Sequence, residues 1–242
     1  MATNKKTTRA KPNTAPSHFS GALFDFLRDL ENNNDRDWFL ANKERFERDV
    51  REPVLQFIAD FAPKLAKISE HMLADPRKQG GSMFRINRDI RFSKDKSPYK
   101  TNVGAHFRHE AGKNAHAPGF YLHLQPGEVF CGAGIWHPDG PTLAAIREAI
   151  VEDPDAYTKM LRGRAFKRDF GELGGDSLKR PPRGFDADHP LIEEIKRKDF
   201  VCSVRLSDEE VCAPGFIDVF TGYCRSAAPL TGFLANAIDL PF

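Results

Sequence analysis

The chain has 242 residues, 40% of them apolar and 20 of them phenylalanine, so it can bury a sizeable core and is not globally disordered. No apolar run reaches the roughly 18 residues that a membrane span needs. The net charge of +2 sits in the first 17 residues, where Lys5, Lys6, Arg9 and Lys11 stand without an acid. Their +4 leaves the remaining residues at −2, which excludes a bulk polyelectrolyte binder of DNA.

Residues 1–17 read as a disordered basic tail, and 18–242 as a single α+β domain. The tail has no apolar stretch of the kind that marks a secretory signal. Phe19, Leu23, Phe26, Leu27 and Leu30 recur at helical spacing. Asp35 is placed to cap a second helix with Trp38, Phe39, Phe46 and Val50 on one face. Pro53 suits the first turn of a third helix or a kink, and Pro63 a second kink. Val54, Phe57, Ile58, Phe61 and Leu65 carry that helix onward.

From Ser82 the period changes to two. Phe84, Ile86, Ile90 and Phe92 alternate with polar residues and predict a first strand. Val103, Ala105 and Phe107 predict a second. Phe120, Leu122 and Leu124 predict a third, and Val129, Cys131, Ala133 and Ile135 a fourth. QPGE at 125–128 is a tight turn. Folding about it sets Leu122 opposite Cys131, Tyr121 opposite Gly132 and His123 opposite Phe130. Helical spacing returns after Pro141. Residues 171–190 read as a Gly- and Pro-rich loop, 191–195 as a short helix and 200–206 as a further strand. Two final helices are expected, one opened by Pro214 and one around Leu230–Ala237. The fold class is α+β: a largely antiparallel sheet of four or more strands, packed with N-terminal and C-terminal helices.

The densest charge is in FRINRDIRFSKDKSPYKT, residues 84–101. Arg85, Arg88, Arg91, Lys94, Lys96 and Lys100 share it with only Asp89 and Asp95. In a strand, Arg85, Asp89 and Arg91 would share one face, with Asp89 between the two arginines. Arg88 would then point among apolar residues, either in a buried ion pair or toward a ligand. Arginine suits bidentate capture of phosphate or carboxylate, and the lysines add longer-range attraction. Gly132 and Gly134 bare one strand on the polar face, beside Tyr121, His123 and Trp136. That is either a floor for a ligand or a glycine covered by Tyr121.

No Walker lysine motif, GxGxxG, GxSxG or HExxH occurs. Neither the histidines nor Cys131, Cys202, Cys212 and Cys224 have metal-ligand spacing, so no metal or cofactor is expected. The thiols fit a reduced, cytoplasmic protein.

The string F-R-x-x-R-D-x-R-F-S-x-D-K-x-P-Y-K-T resembles the signature of an uncharacterised bacterial and fungal family, a domain of unknown function numbered 2461. NNNDRDWFLANKERFERDVREP (32–53), YLHLQPGE (121–128), GAGIW (132–136) and LKRPPRGFDADHPL (178–191) are similar to its other blocks. The resemblance implies one domain over roughly 19–225 and transfers no catalytic residues.

Three readings stay open. The first is binding of a phosphate-bearing ligand, a nucleotide or a nucleic-acid end, through Arg85, Arg88, Arg91, Lys94, Lys96, Tyr99 and Lys100, with Tyr121, His123 and Trp136. The second is an enzyme, hydrolase or transferase, acting on a phosphorylated or carboxylated small molecule, with Asp89 or His123 as acid or base. The third is a structural or partner-binding domain whose arginines form internal ion pairs.

Overall fold

A computed structural model describes residues 17–112 and 117–242. The expected tail, except Ser17, and His116 lie outside the described residues. The described chain runs α1 (Gly21–Asn32), α2 (Arg36–Ala41), α3 (Lys43–Phe46), a π turn (Glu47–Arg51) and α4 (Glu52–Leu65). Strands β1 (Val103–Arg108), β2 (Gly119–Leu124) and β3 (Val129–Ile135) follow. Then come α5 (Gly140–Glu152), α6 (Pro154–Leu161), α7 (Arg164–Asp169), α8 (Ile192–Ile195), β4 (Phe200–Leu206), α9 (Asp208–Cys212) and α10 (Phe216–Asn236). The sheet is antiparallel in the order β1-β2-β3-β4. The fold is α+β, and no described helix is long and apolar enough to cross a membrane.

Local chemistry explains most boundaries. Asp35 caps α2 by accepting the Trp38 N–H at 2.9 Å. The second and third expected helices join through the π turn, where the Glu52 N–H reaches back to the Glu47 carbonyl. The wider turn lies just before Pro53, whose ring would clash with a carbonyl four residues back in a regular helix. At the other end one helix replaces the two expected. Pro229 lies inside α10, and burial of Ala227, Leu230 and Leu234 on either side of it outweighs the single hydrogen bond it lacks.

The core lies between one sheet face and the α4–α10 layer. Phe61 of α4 meets Phe107 of β1 at 4.7 Å and Phe220 of α10 at 4.9 Å between ring centroids. Phe120, Leu122, Cys131 and Phe200 complete the inner sheet face, all buried. The expected register about QPGE is present: Leu122 pairs with Cys131, Tyr121 with Gly132 and His123 with Phe130.

The first expected strand does not form. Residues 82–101 make an irregular ribbon along the outer edge of β1. Isolated antiparallel bridges tie Met83 to Ala105 and Asn87 to Tyr99. Short-range side-chain bonds compete with regular pairing here. Asp89 accepts the backbone N–H of Arg91, and Asp95 that of Ser97. Phe92, expected on an apolar face, is 94% exposed.

Candidate functional site

The pleat directs alternate residues of β1–β3 away from the helices. His123 pairs with Gly104, and Tyr121 with Gly132, so Tyr121 stands between two strand glycines. A Cβ on Gly104 would lie 2.4 Å from the Tyr121 hydroxyl oxygen. The ring therefore leans over β1. Tyr121 covers Gly104, not Gly132 as one sequence alternative had it. A Cβ on Gly132 would meet nothing closer than 3.4 Å, the Cys202 carbonyl oxygen. Gly132 is an open floor. Gly134 is set by its backbone, with φ +114° and a virtual Cβ 1.9 Å from the Phe200 carbonyl oxygen.

Above this floor is an apolar slot of about 440 Å³, lined among others by Phe84, Tyr121, His123, Phe130, Gly132 and Trp136. Beside it lies a polar chamber of about 470 Å³, whose walls include Arg85, Arg88, Asp89, Lys100 and Asn102. Phe84, Tyr121, His123 and Trp136 face both spaces. An aromatic compartment thus opens directly onto a cationic one.

The chamber's cations differ in their partners. Arg88 pairs with Asp95 across the ribbon; it is half-buried at the chamber wall, not sunk among apolar side chains as a strand would have placed it. Arg91 holds Asp89 through two hydrogen bonds of 2.9 and 2.7 Å. That pairing lowers the Asp89 carboxyl pKa to about 2, so it stays ionised and is a poor general acid or base near neutrality. Among the described residues no carboxylate lies within ion-pair distance of Arg85 or Lys100. Burial first, then the charge of Arg85, lowers the Lys100 pKa. Its ammonium lies 5.6 Å from the Phe84 ring centroid.

Tyr121 and His123 form the polar seam between the two spaces. The Tyr121 hydroxyl lies 3.0 Å from His123 Nδ1, and His123 Nε2 lies 3.3 Å from Gln125 Oε1. The neutral imidazole satisfies both contacts, accepting at Nδ1 and donating at Nε2. Burial pushes the Tyr121 pKa up to about 12 and the His123 pKa down from 6.5. The unfolded chain therefore takes up the His123 proton first as pH falls. Stability from this group is present above about pH 6.5 and is lost as pH drops through its folded pKa. The urea midpoint is expected to fall between pH 7 and pH 5, and His123→Gln to flatten that fall.

Two devices hold the walls. At the end of β3, Trp136 stacks on His137 with centroids 4.2 Å apart. Buried Asp199 accepts the His137 backbone N–H at 2.7 Å and lies 2.9 Å from its Nδ1. The same carboxylate accepts the Asp176 N–H at 2.9 Å. At the ribbon base, Asn34 donates to the Tyr99 carbonyl and accepts the Tyr99 N–H, both at 3.0 Å.

Of the residues singled out in the sequence, Arg85, Arg88, Asp89, Lys100, Tyr121, His123 and Trp136 come together around the two spaces. Arg91 points outward in its pair with Asp89. Lys94 is exposed, and Lys96 donates to the Ile90 carbonyl at 3.0 Å. Tyr99 is buried and stacks on Phe39 at 4.0 Å, away from the chamber. Sequence reasoning missed Phe84, Asn102 and Gly104. Gly104 alternates with Val103 and Ala105, so its place on the polar face was readable.

A family profile described as "Conserved hypothetical protein (DUF2461)" matches residues 22–233. The chain belongs to this family. The matched region of DUF2461 contains the whole ribbon, all four strands and every residue named around the pocket. No curated protein and no solved structure matches the chain significantly.

Proposed function

We propose that the paired compartments bind a phosphate-bearing ligand of nucleotide type. The observation that carries this reading is the meeting of Arg85 and Lys100, neither within ion-pair distance of a carboxylate among the described residues, at the mouth of an aromatic slot; Asp89, in the same wall and held by Arg91, feels the charge of Arg85 without pairing with it. A half-buried ammonium beside a guanidinium is unfavourable alone, and a dianion between them relieves the repulsion. The slot suits a ring that stacks on Tyr121 or Trp136. Its mostly apolar lining, with a few convergent polar groups, is the usual make-up of a small-molecule site. The free thiols of Cys131, Cys202, Cys212 and Cys224 suit a reducing compartment, so the cytoplasm is where we place this activity.

Calorimetric titration with nucleoside 5′-monophosphates and with inorganic phosphate tests the reading. Arg85→Ala and Lys100→Ala are each expected to weaken binding by ten-fold or more, since a charge-assisted bond contributes about 1.5–3 kcal/mol. Lys94→Ala, which removes an exposed cation outside the chamber lining, is expected to change affinity less than three-fold. Equal losses in all three variants would mean a diffuse electrostatic attraction and no built site.

A second reading, phosphoryl or acyl transfer at the same place, draws on His123. Its neutral ring borders both compartments, and its one accepting nitrogen, Nδ1, would have to exchange the Tyr121 hydroxyl for a substrate proton to act as a general base. Turnover of a phosphate or carboxylate ester that survives His123→Gln would remove that role.

A further inference from the structure

Phe92 has no packing role, being 94% exposed. It is nonetheless tied to the pocket. Asp89 lines the chamber, its carboxylate is held by Arg91, and the Arg91 guanidinium lies 5.8 Å from the Phe92 ring centroid. Phe92 lies three positions past Asp89 of the chamber wall, at most about 11 Å of extended chain.

The tip around it has a defined shape. Arg88 pairs with Asp95, and Asp95 accepts from both the backbone N–H and the hydroxyl of Ser97 at 2.9 and 2.7 Å. Lys96 donates to the Ile90 carbonyl, and the Arg88 N–H to the Pro98 carbonyl at 2.9 Å. These bonds close the loop and leave Phe92 and Lys94 on its outside.

We propose that this tip continues the pocket into a binding track for single-stranded nucleic acid. A phosphate-bearing strand end seats in the pocket, the next base stacks on Phe92, and Lys94 and Lys96 attract the following phosphates. An exposed aromatic ring among cations on a narrow ribbon is the pairing that single strands exploit, because every base has a face to stack. An anionic membrane fits less well. Outside the ribbon and the first 17 residues the chain carries an excess of acids, which a flat anionic surface would also meet. A single phenyl ring offers only about 200 Å² for insertion.

The inference rests on the phosphate-ligand reading of the pocket, and one set of titrations separates the two. The probes are nucleoside 5′-monophosphates and a 5′-phosphorylated five-nucleotide DNA of mixed sequence, followed at low and moderate salt. The oligonucleotide is expected to bind at least ten-fold tighter than the mononucleotides, with a steeper loss on adding salt. Phe92→Ala is expected to cut oligonucleotide affinity about ten-fold and leave mononucleotide binding unchanged; Phe92→Trp is expected to preserve both. At 94% exposure these changes leave folding intact.

If the oligonucleotide binds no tighter than the mononucleotides, or Phe92→Ala leaves it unaffected, the track is overturned while the pocket stands. If neither probe binds, both fall. Binding to phosphatidylserine vesicles that depends on Phe92, with none to the oligonucleotide, would also overturn the track in favour of a membrane contact.

Discussion

Gly134→Ala is expected to destabilise the protein by about 3–5 kcal/mol, a large share of the 5–15 kcal/mol that holds a typical domain folded. Two effects add. A φ of +114° is accessible to glycine and strains any residue with a Cβ, at about 1–3 kcal/mol. The new methyl would also fall 1.9 Å from the Phe200 carbonyl oxygen, so β3 and β4 must part where Gly134 pairs with Val201. Urea unfolding followed by circular dichroism reads the loss directly. Gly132→Ala, two residues away, provides the contrast. Its methyl would make only ordinary contacts, at 3.4 Å and beyond, so stability is expected to change by less than about 1 kcal/mol. It would occupy the pocket floor, and nucleoside monophosphate affinity is expected to drop. Equal stability in the two variants would show that the positive φ at Gly134 carries no weight.

Phe57→Ala is expected to cost a further large sum, about 3–5 kcal/mol. The ring is fully buried and joins α4 to α10 and to the segment before α1. It meets Phe19 at 5.1 Å, Phe216 at 5.9 Å, Phe220 at 5.6 Å and Phe61 at 6.2 Å between centroids. Removing it leaves a cavity walled by rigid rings, which collapse poorly around a void. Phe57→Leu, which refills most of that space, is expected to cost less than half as much. The pocket lies on the opposite face of the sheet, so ligand affinity measured well below the lowered midpoint should be unchanged in both variants. A loss of affinity there would mean that the core and the outer face are coupled.

The fold was readable wherever periodicity and burial agree. The alternation in 120–135 and the turn at Pro126–Gly127 fix a register that a one-residue slip would turn inside out. The ribbon was misread because its pattern of two is broken by bonds that no periodicity records. Asp89 turns back to Arg91, and Asp95 to Ser97 and Arg88, so Ile90 and Phe92 never face a common core. Those bonds also decide which cations remain available. Composition put six in one segment, and only the local pairing distinguishes Arg85 and Lys100 from Arg91. The helix opening expected at Pro53 is present, but two C-terminal helices were expected where α10 runs unbroken through Pro229, whose missing donor is outweighed by core burial. Tyr121 shows a third gap: its pairing with Gly132 was legible, but the lean of its ring toward Gly104 is a matter of rotamer and space.

Asn34 closes the ribbon in a way that binds distant parts of the chain into one mechanism. Its side-chain amide offers Tyr99 one donor and one acceptor, imitating the edge of a neighbouring strand, and it does so from the short link between α1 and α2. The cationic wall is thus anchored outside the sheet that forms the floor. A chain carrying Asn34→Ala would keep every glycine and aromatic of the slot and lose the fixed placement of its charges.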